Sequence, residues 1–326
     1  MSGRGCLLER GSSRGVSRVG VVGGGVVGQA TGIGFASLGH QVVFCDIDAG
    51  VVDGLRSRGY EAVFPQDMPR ERLDVTIICV NTPTVGGAIS LSRLDAACET
   101  VGSILEEAQG YHLVVVRSTL PPGTTEERVI PRLEARSGLR VGVEFGVCYH
   151  PEFLRESSAV ADFEQPWIKV YGGYDARSRR ALRGLYGRNG SRSVTEYETD
   201  IRTAEMVKYA SNIYNATKIS FTNEMWNACR QLDIDGNEVM EIVSRSAEGM
   251  WNPSYGIKGG FPYGGSCLPK DTLAFESFAR DRDIAVPILQ KVIEVNERMQ
   301  RVATQVVPKA AESSSALPVA ASVHGS

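Results

Sequence analysis

No run of apolar residues in this 326-residue chain approaches the roughly 18–20 that a membrane-spanning helix needs, so no such helix is expected. Histidine is scarce, at four residues, and none of the seven cysteines forms a Cys-x-x-Cys pair. The ligand spacings of a structural zinc site are therefore missing, and no metal is expected. The cysteines, Cys6, Cys45, Cys79, Cys98, Cys148, Cys229 and Cys267, are odd in number, and several sit in apolar runs such as VVFCDI and TIICVN. That usage fits reduced, buried thiols in a cytoplasmic protein and argues against a disulfide scaffold. An excess of charge is lacking too. Thirty-five basic against 38 acidic residues leave a net charge of −3, with no general attraction to nucleic acid or an anionic membrane. Residues 1–17 are rich in Gly, Ser and Arg but lack the apolar core of a secretory signal, and read as a disordered leader. Residues 308–326, mostly Ala, Ser and Val without period, read as a disordered tail. No internal repeat is visible.

What is present is alternation. Short β-branched runs at Arg18–Val22, Gln41–Cys45, Val75–Val80, His112–Arg117, Arg140–Val147 and Trp167–Tyr171 are separated by longer amphipathic segments such as Leu91–Gln109 and Thr124–Ala135. Such alternation implies βαβ units, and with right-handed crossovers it implies a doubly wound parallel sheet of Rossmann type over residues 18–199. The character changes after Tyr197. Asp200–Leu232 contains no Pro or Gly and reads as one long helix with Asp200 as its N-cap. Asp235–Arg245, Leu268–Arg280 and Pro287–Val307 read as further helices, and the Gly- and Pro-rich Glu248–Cys267 as a loop. Residues 200–307 thus form an all-helical second domain.

Residues Val19–Gly28 read VGVVGGGVVG, in which Gly23, Gly25 and Gly28 give Gly-x-Gly-x-x-Gly. Such a pattern is weak alone, because with 36 glycines in the chain chance yields on the order of 0.4 matches. Here it closes an apolar strand and opens an apolar helix beginning near Val26 and Val27. Gly23 would permit the tight turn, Gly25 the approach of a pyrophosphate, and Gly28 close helix–strand packing. Free N–H groups at that helix start would face the phosphates. A second strand ends at Asp46, whose carboxylate could accept both ribose hydroxyls and repel a 2′-phosphate, favouring NAD over NADP. Asp48 competes for that role.

Further segments carry chemistry. CVNTPT (Cys79–Thr84) and RSTLPPGTT (Arg117–Thr125) follow strands, where ligands of open α/β sheets bind. In HPEFLRE, Glu152 and Glu156 could hold a water or a proton, while His150 reads as a structural histidine. On the long helix Glu205, Lys208, Asn212 and Asn215 share a face opposite Met206, Ala210, Ile213 and Phe221. Periodicity alone makes that polar stripe solvent-facing, although the asparagines invite a specific reason. In GGFPYGGSCLPKD, Cys267 follows flexible glycines and precedes a helix, a position where the dipole favours thiolate and the sulfur stays reachable. Asp271, one turn on, could orient or deprotonate water.

With GGGVVG, CVNTPT, STLPPGT, HPEFLRE, AEMVKYASN and GGSCLPKD in the same order, the chain resembles the UDP-glucose/GDP-mannose dehydrogenase family from about Arg18 to about Val307. The resemblance implies two successive NAD-dependent oxidations at C6 of a nucleotide-linked hexose. By resemblance, Cys267 holds the aldehyde and then the thioester. Lys208 and Asn212 steady the oxyanion, Asp271 assists water and proton movement, Glu152 acts in hydrolysis and Thr119 positions a water. The cofactor contacts so implied are Gly23, Gly25, Val26, Val27, Gly28, Asp46, Thr82, Pro83, Thr119, Glu156 and Lys270. The sugar contacts are Glu152, Phe153, Leu154, Lys208, Asn212, Lys258 and Gly264. A homodimer through the long helix is also implied. Family members usually continue into a third, nucleotide-gripping domain after the point where this chain ends, and a basic residue frequent in the loop before the cysteine is replaced here by Trp251, with Lys258 retained. A UDP-glucose substrate is the first expectation, with three alternatives: GDP-mannose, a smaller nucleoside or sugar alcohol, or an inactive homologue.

Overall fold

A computed structural model describes residues 15–187 and 194–306. The expected tail, and the leader apart from residues 15–17, lie outside the described residues. The chain separates into two compact units, one ending at Asn212 and one beginning at Ile213.

The first unit is built on an eight-stranded sheet. Its strands are β1 (Arg18–Val22), β2 (Gln41–Cys45), β3 (Glu61–Val63), β4 (Val75–Ile78), β7 (His112–Val116), β8 (Phe145–Tyr149), β9 (Ile168–Gly173) and β10 (Thr195–Thr199), and a separate antiparallel hairpin pairs β5 (Thr84–Val85) with β6 (Ala88–Ile89). The sheet order is β10-β9-β8-β7-β4-β1-β2-β3. Helices α1 (Val26–Ser37), α2 (Ala49–Ser57), α3 (Ser92–Glu106), α4 (Ile130–Ser137), α5 (Ala159–Glu164) and α6 (Ala176–Leu185) connect the strands. Alternate strand residues feed two separate cores. Val22, Ile78, Val114 and Val116 pack with Leu94 and Val101 of α3 and Leu133 of α4. Val19, Val21, Ile77, Leu113 and Val115 pack with Phe35 of α1, Leu55 of α2 and Leu182 of α6. A strand with both faces covered must be apolar throughout, which explains the unbroken burial of VTII and HLVVV.

The sheet is mostly parallel, as the alternation implied, with one antiparallel junction between β8 and β9. The fifth run, Arg140–Val147, differs from expectation in detail. Arg140–Glu144 is a tight turn, with Gly142 at φ +79° and its N–H on the Phe145 carbonyl, so β8 begins only at Phe145. Strands β3 and β10 escape the sequence pattern because they are sheet edges with charged residues, EAV and TEYET, and so lack an apolar run. The segment expected to be helical from Thr124 begins with a π-helical turn, Thr125–Val129, before α4.

Helix α7 (Ile201–Gln231) starts as expected: Asp200 accepts from the backbone N–H and the hydroxyl of Thr203 at 2.7 Å each, bonds that hold its carboxyl below the usual range. Ile201 and Ala204 are fully buried in the sheet's core, so the opening turns of α7 belong to the first unit. The second unit holds the rest of α7 with α8 (Gly236–Ser246), α9 (Glu248–Trp251), α10 (Leu268–Arg280) and α11 (Pro287–Val306). The short α9 interrupts a segment expected to be loop. Its core is small, formed by Ala228, Ala279, Ile284 and Val286 with Leu232, Phe275 and Leu289 against them. Among the described residues no helix is long and apolar enough to cross a membrane.

Candidate active site

The three motif glycines have the distinct surroundings their roles require. Gly23 sits at φ +103°, a left-handed conformation that side chains avoid. A Cβ on Gly28 would lie 1.8 Å from the Gly23 carbonyl oxygen, so no side chain fits there. A Cβ on Gly25 would meet nothing within 4 Å. Gly25 is also the N-cap of α1 and has no side chain to cap it, which leaves the first N–H groups of the helix for an anion. The glycine turn lies where β1 is flanked by β2 and β4, the point at which the strand order reverses.

A cleft of about 830 Å³ opens over these strand ends. Gly23, Gly25, Val26, Val27, Asp46, Thr82, Thr119 and Glu152 all line it, whereas Gly28 lies beneath in the helix–strand packing and Pro83 lies outside its lining. Hydrogen bonds set the two aspartates apart. Asp48 is the N-cap of α2, its side chain occupied by the N–H groups of Gly50 and Val51. Asp46 accepts one bond per carboxylate oxygen, from Gly24 N–H at 2.6 Å and Asp48 N–H at 2.9 Å, which fixes its orientation and leaves lone pairs for ribose hydroxyls. Two hydroxyls tie the far side together: Thr82 donates to the Thr119 carbonyl at 2.8 Å and Ser118 to the Val80 carbonyl at 2.6 Å.

Beside the cleft lies an ion pair. The ammonium of Lys208 donates to Glu152 Oε1 at 2.6 Å and to the Glu152 carbonyl at 2.7 Å, while Glu152 Oε2 accepts from Leu154 N–H. The two side chains are only 7% and 11% exposed. Phe153 and Leu154 pack toward the two cores and line a separate small cavity of about 30 Å³, as does Glu152. Glu156 opens a 3-10 turn, but its side chain lies outside what is described. Arg155, between the two glutamates, turns away to pair with Asp162 at 2.6 Å and holds that carboxyl well below its usual range.

The polar stripe on α7 is the largest departure from expectation. Glu205 is fully buried and Lys208 nearly so, while Met206 and Ile213 on the opposite face are 50% and 57% exposed. Glu205 accepts the backbone N–H of Gly123 at 2.5 Å and of Thr125 at 2.8 Å, anchoring the PPGTT loop that follows Thr119; burial raises its carboxyl pKa. Asn212, one turn beyond Lys208, is exposed. His150 is structural, as expected. Its Nδ1–H donates to the Val170 carbonyl, its Nε2 meets the Tyr186 hydroxyl at 2.6 Å, and burial, with the nearby Arg117 charge, pushes it down to about 3.

In the second unit Cys267 occupies the N-cap of α10, exposed, with Ser266 Oγ 3.7 Å from its sulfur. Its carbonyl accepts the Asp271 N–H at 2.8 Å. Asp271 and Lys270 pair with each other at 2.8 Å, both on the surface. Lys258 and Gly264 are exposed in the preceding loop. Asn296 of α11, which sequence reading passed over, clamps that loop: its side chain accepts from Tyr263 N–H at 2.7 Å and donates to the Tyr263 carbonyl at 3.2 Å, just before the Gly264–Gly265 turn. A buried asparagine inside an otherwise good helix was the available signal. Among the described residues no three of His, Cys, Asp and Glu gather as a metal site would require.

Comparison with known proteins decides the relationship. Residues 61–189 match the NAD binding domain, and residues 202–298 the central domain, of the UDP-glucose/GDP-mannose dehydrogenase family. A GDP-mannose 6-dehydrogenase of Pseudomonas putida is 35% identical over 86% of this chain and 68% of its own length. The chain belongs to the UDP-glucose/GDP-mannose dehydrogenase family. A UDP-glucose 6-dehydrogenase of Haloferax volcanii is 34% identical over 85% of this chain and 69% of its own length. Among solved structures, a ternary complex of GDP-mannose dehydrogenase from Pseudomonas aeruginosa matches with a TM-score of 0.80 at 31% identity, covering 87% of this chain and 69% of that one. As a member of the family the chain is an NAD-dependent oxidoreductase acting on CH–OH groups, and NAD is its cofactor. The open space at Gly25, the uncapped start of α1 and the oriented Asp46 fit that cofactor.

Proposed function

We propose that this dehydrogenase oxidises the primary alcohol of a nucleotide-linked hexose to a carboxylate in two NAD-dependent steps, holding the intermediate covalently on Cys267. The observation that carries the reading is the buried Lys208–Glu152 pair beside the cofactor cleft, an ammonium and a carboxylate kept together at low exposure. In the first step the alcohol carbon gives a hydride to NAD and the hydroxyl a proton, leaving an aldehyde. The thiol of Cys267 then adds to that carbon, its proton passing to the aldehyde oxygen, and the thiohemiacetal gives a hydride to a second NAD and its hydroxyl proton to water, becoming a thioester. Water cleaves the thioester, releasing the carboxylate and the thiol. A sulfur tether lets one site perform both oxidations without releasing the aldehyde. Lys208 and Asn212 stabilise the oxygen as it gains charge, Glu152 and Asp271 handle the water and its protons, and Thr119 positions that water. The relatives acting on GDP-mannose and UDP-glucose nominate the two sugars. Incubation with NAD and a panel of UDP- and GDP-hexoses is expected to yield about two NADH per sugar consumed. Turnover confined to small alcohols, or none with any sugar, would refute the assignment.

The same reading places the enzyme in the cytoplasm, where the six described cysteines stay thiols. It also makes the enzyme a homodimer through α7. In support, Ile213, Tyr214, Ile219 and Trp226 of α7 are all exposed by more than 40% over a unit with a small core. Light scattering is expected to give twice the chain mass; a monomer at micromolar concentration would contradict this.

A further inference from the structure

Arg117, at the end of β7, lines both the cofactor cleft and the small cavity behind it, yet only 4% of it is exposed. Its Nε and Nη1 are buried without a hydrogen-bond partner, and among the described residues no carboxylate lies within ion-pair distance of it. Two neutral rings stand beside it. The guanidinium stands 5.8 Å from the ring centre of Phe163 and faces the Tyr186 hydroxyl, which is bonded to His150. Burial and the Arg117 charge keep His150 neutral, so with its Nδ1–H on the Val170 carbonyl its Nε2 accepts the Tyr186 proton. The other charges near this end have counter-ions: Lys208 has Glu152 at 2.6 Å, Arg155 has Asp162 at 2.6 Å, and Lys169 stands 3.9 Å from Glu196, a carboxylate it shares with Arg183. A cation withdrawn from water without a counter-ion is expensive to keep, and its field is poorly screened.

That field falls on a particular half of the cofactor. With the glycine turn after β1 holding the pyrophosphate and Asp46 at the end of β2 the adenosine ribose, the nicotinamide would fall on the other side of β1, toward the ends of β4, β7 and β8. We propose that Arg117 is a positioning charge that sets the redox preference of the bound cofactor, disfavouring the cationic nicotinamide of NAD⁺ relative to the neutral ring of NADH. Hydride arrival carries two electrons and one proton to the ring and removes its positive charge, so the repulsion present before transfer vanishes after it. Arg117 thereby favours the direction of substrate oxidation without touching the sugar. The inference rests on the NAD assignment and on the adenosine end lying at Asp46.

The test is a binding measurement. Dissociation constants for NAD⁺, NADH and ADP-ribose are determined by fluorescence titration or calorimetry for the full-length enzyme and for Arg117→Met and Arg117→Lys. The native enzyme is expected to bind NADH about tenfold more tightly than NAD⁺, and Arg117→Met to narrow that ratio by about tenfold, as expected for removing one poorly screened unit charge. Arg117→Lys keeps most of the preference. ADP-ribose, which lacks the nicotinamide, binds all three forms alike. A purely structural arginine would weaken NAD⁺ and NADH together and leave the ratio unmoved, and that outcome overturns the proposal. Should Arg117→Met not fold, equal affinity of the native enzyme for NAD⁺ and NADH overturns it equally. Failure of ADP-ribose to bind the native enzyme would instead reject the adenosine placement on which the inference stands.

Discussion

Replacing Cys267 by alanine is expected to abolish carboxylate formation, with net turnover falling on the order of 10⁶-fold, the cost of deleting a covalent nucleophile. The exposed sulfur at the N-cap of α10 carries no packing role that the change would disturb, so the variant should melt near the native temperature. Cys267→Ser keeps an oxygen at the same place. A hydroxyl adds to the aldehyde less readily and leaves the resulting ester less reactively than a thiol, so the serine variant is expected to stall after about one NADH per sugar. The two variants therefore separate the steps: serine retains the first oxidation and loses the second, and alanine yields no net product. Full activity in either would show that the oxidations proceed through free aldehyde hydrate instead.

The second large effect concerns Lys208 and Glu152. Lys208→Met is expected to cut kcat by about 10²–10³-fold, the loss seen when one preorganised oxyanion donor is removed. It also strands Glu152 with one backbone N–H as its remaining partner, and breaking a buried pair from one side costs about 3–5 kcal/mol of stability, here toward the lower end because Glu152 keeps some solvent contact. Glu152→Gln behaves differently. The amide oxygen can still accept from the Lys208 ammonium or Leu154 N–H, so the fold suffers less, but a neutral amide cannot take a proton from water. The second hydride transfer then outruns hydrolysis, and a burst of NADH is expected before a slow steady state. Stopped-flow absorbance distinguishes this from Lys208→Met, which slows the burst itself. A Glu152→Gln enzyme with native steady-state rate and no burst would remove Glu152 from the hydrolytic step.

How much of this was written in the sequence depends on the range of the forces involved. The glycine turn was legible because each glycine answers a local demand: positive φ at Gly23, open space at Gly25, no room for a Cβ at Gly28. The long helix and its Asp200 cap were legible for the same reason. The contest between Asp46 and Asp48 was not, since both end the same strand and only the start of α2 shows which is consumed as a cap. The face of α7 was misjudged because periodicity finds a polar stripe but cannot see what covers it. Here loop N–H groups cover Glu205 and the HPEF turn covers Lys208, while the apolar face stays open. Strands β3 and β10 were hidden by the charges that protect sheet edges. Arg117 and Asn296 meet groups far along the chain, Tyr186 and Tyr263, so the sequence offered nothing for the first and only the oddity of an asparagine inside a good helix for the second.

The covalent route can be read directly by mass. Glu152→Gln enzyme, mixed with NAD and a nucleotide hexose and acid-quenched during the NADH burst, is expected to carry one oxidised sugar nucleotide as a thioester on the peptide containing Cys267, released by hydroxylamine. NADH formation with every cysteine peptide at its unmodified mass would contradict the account.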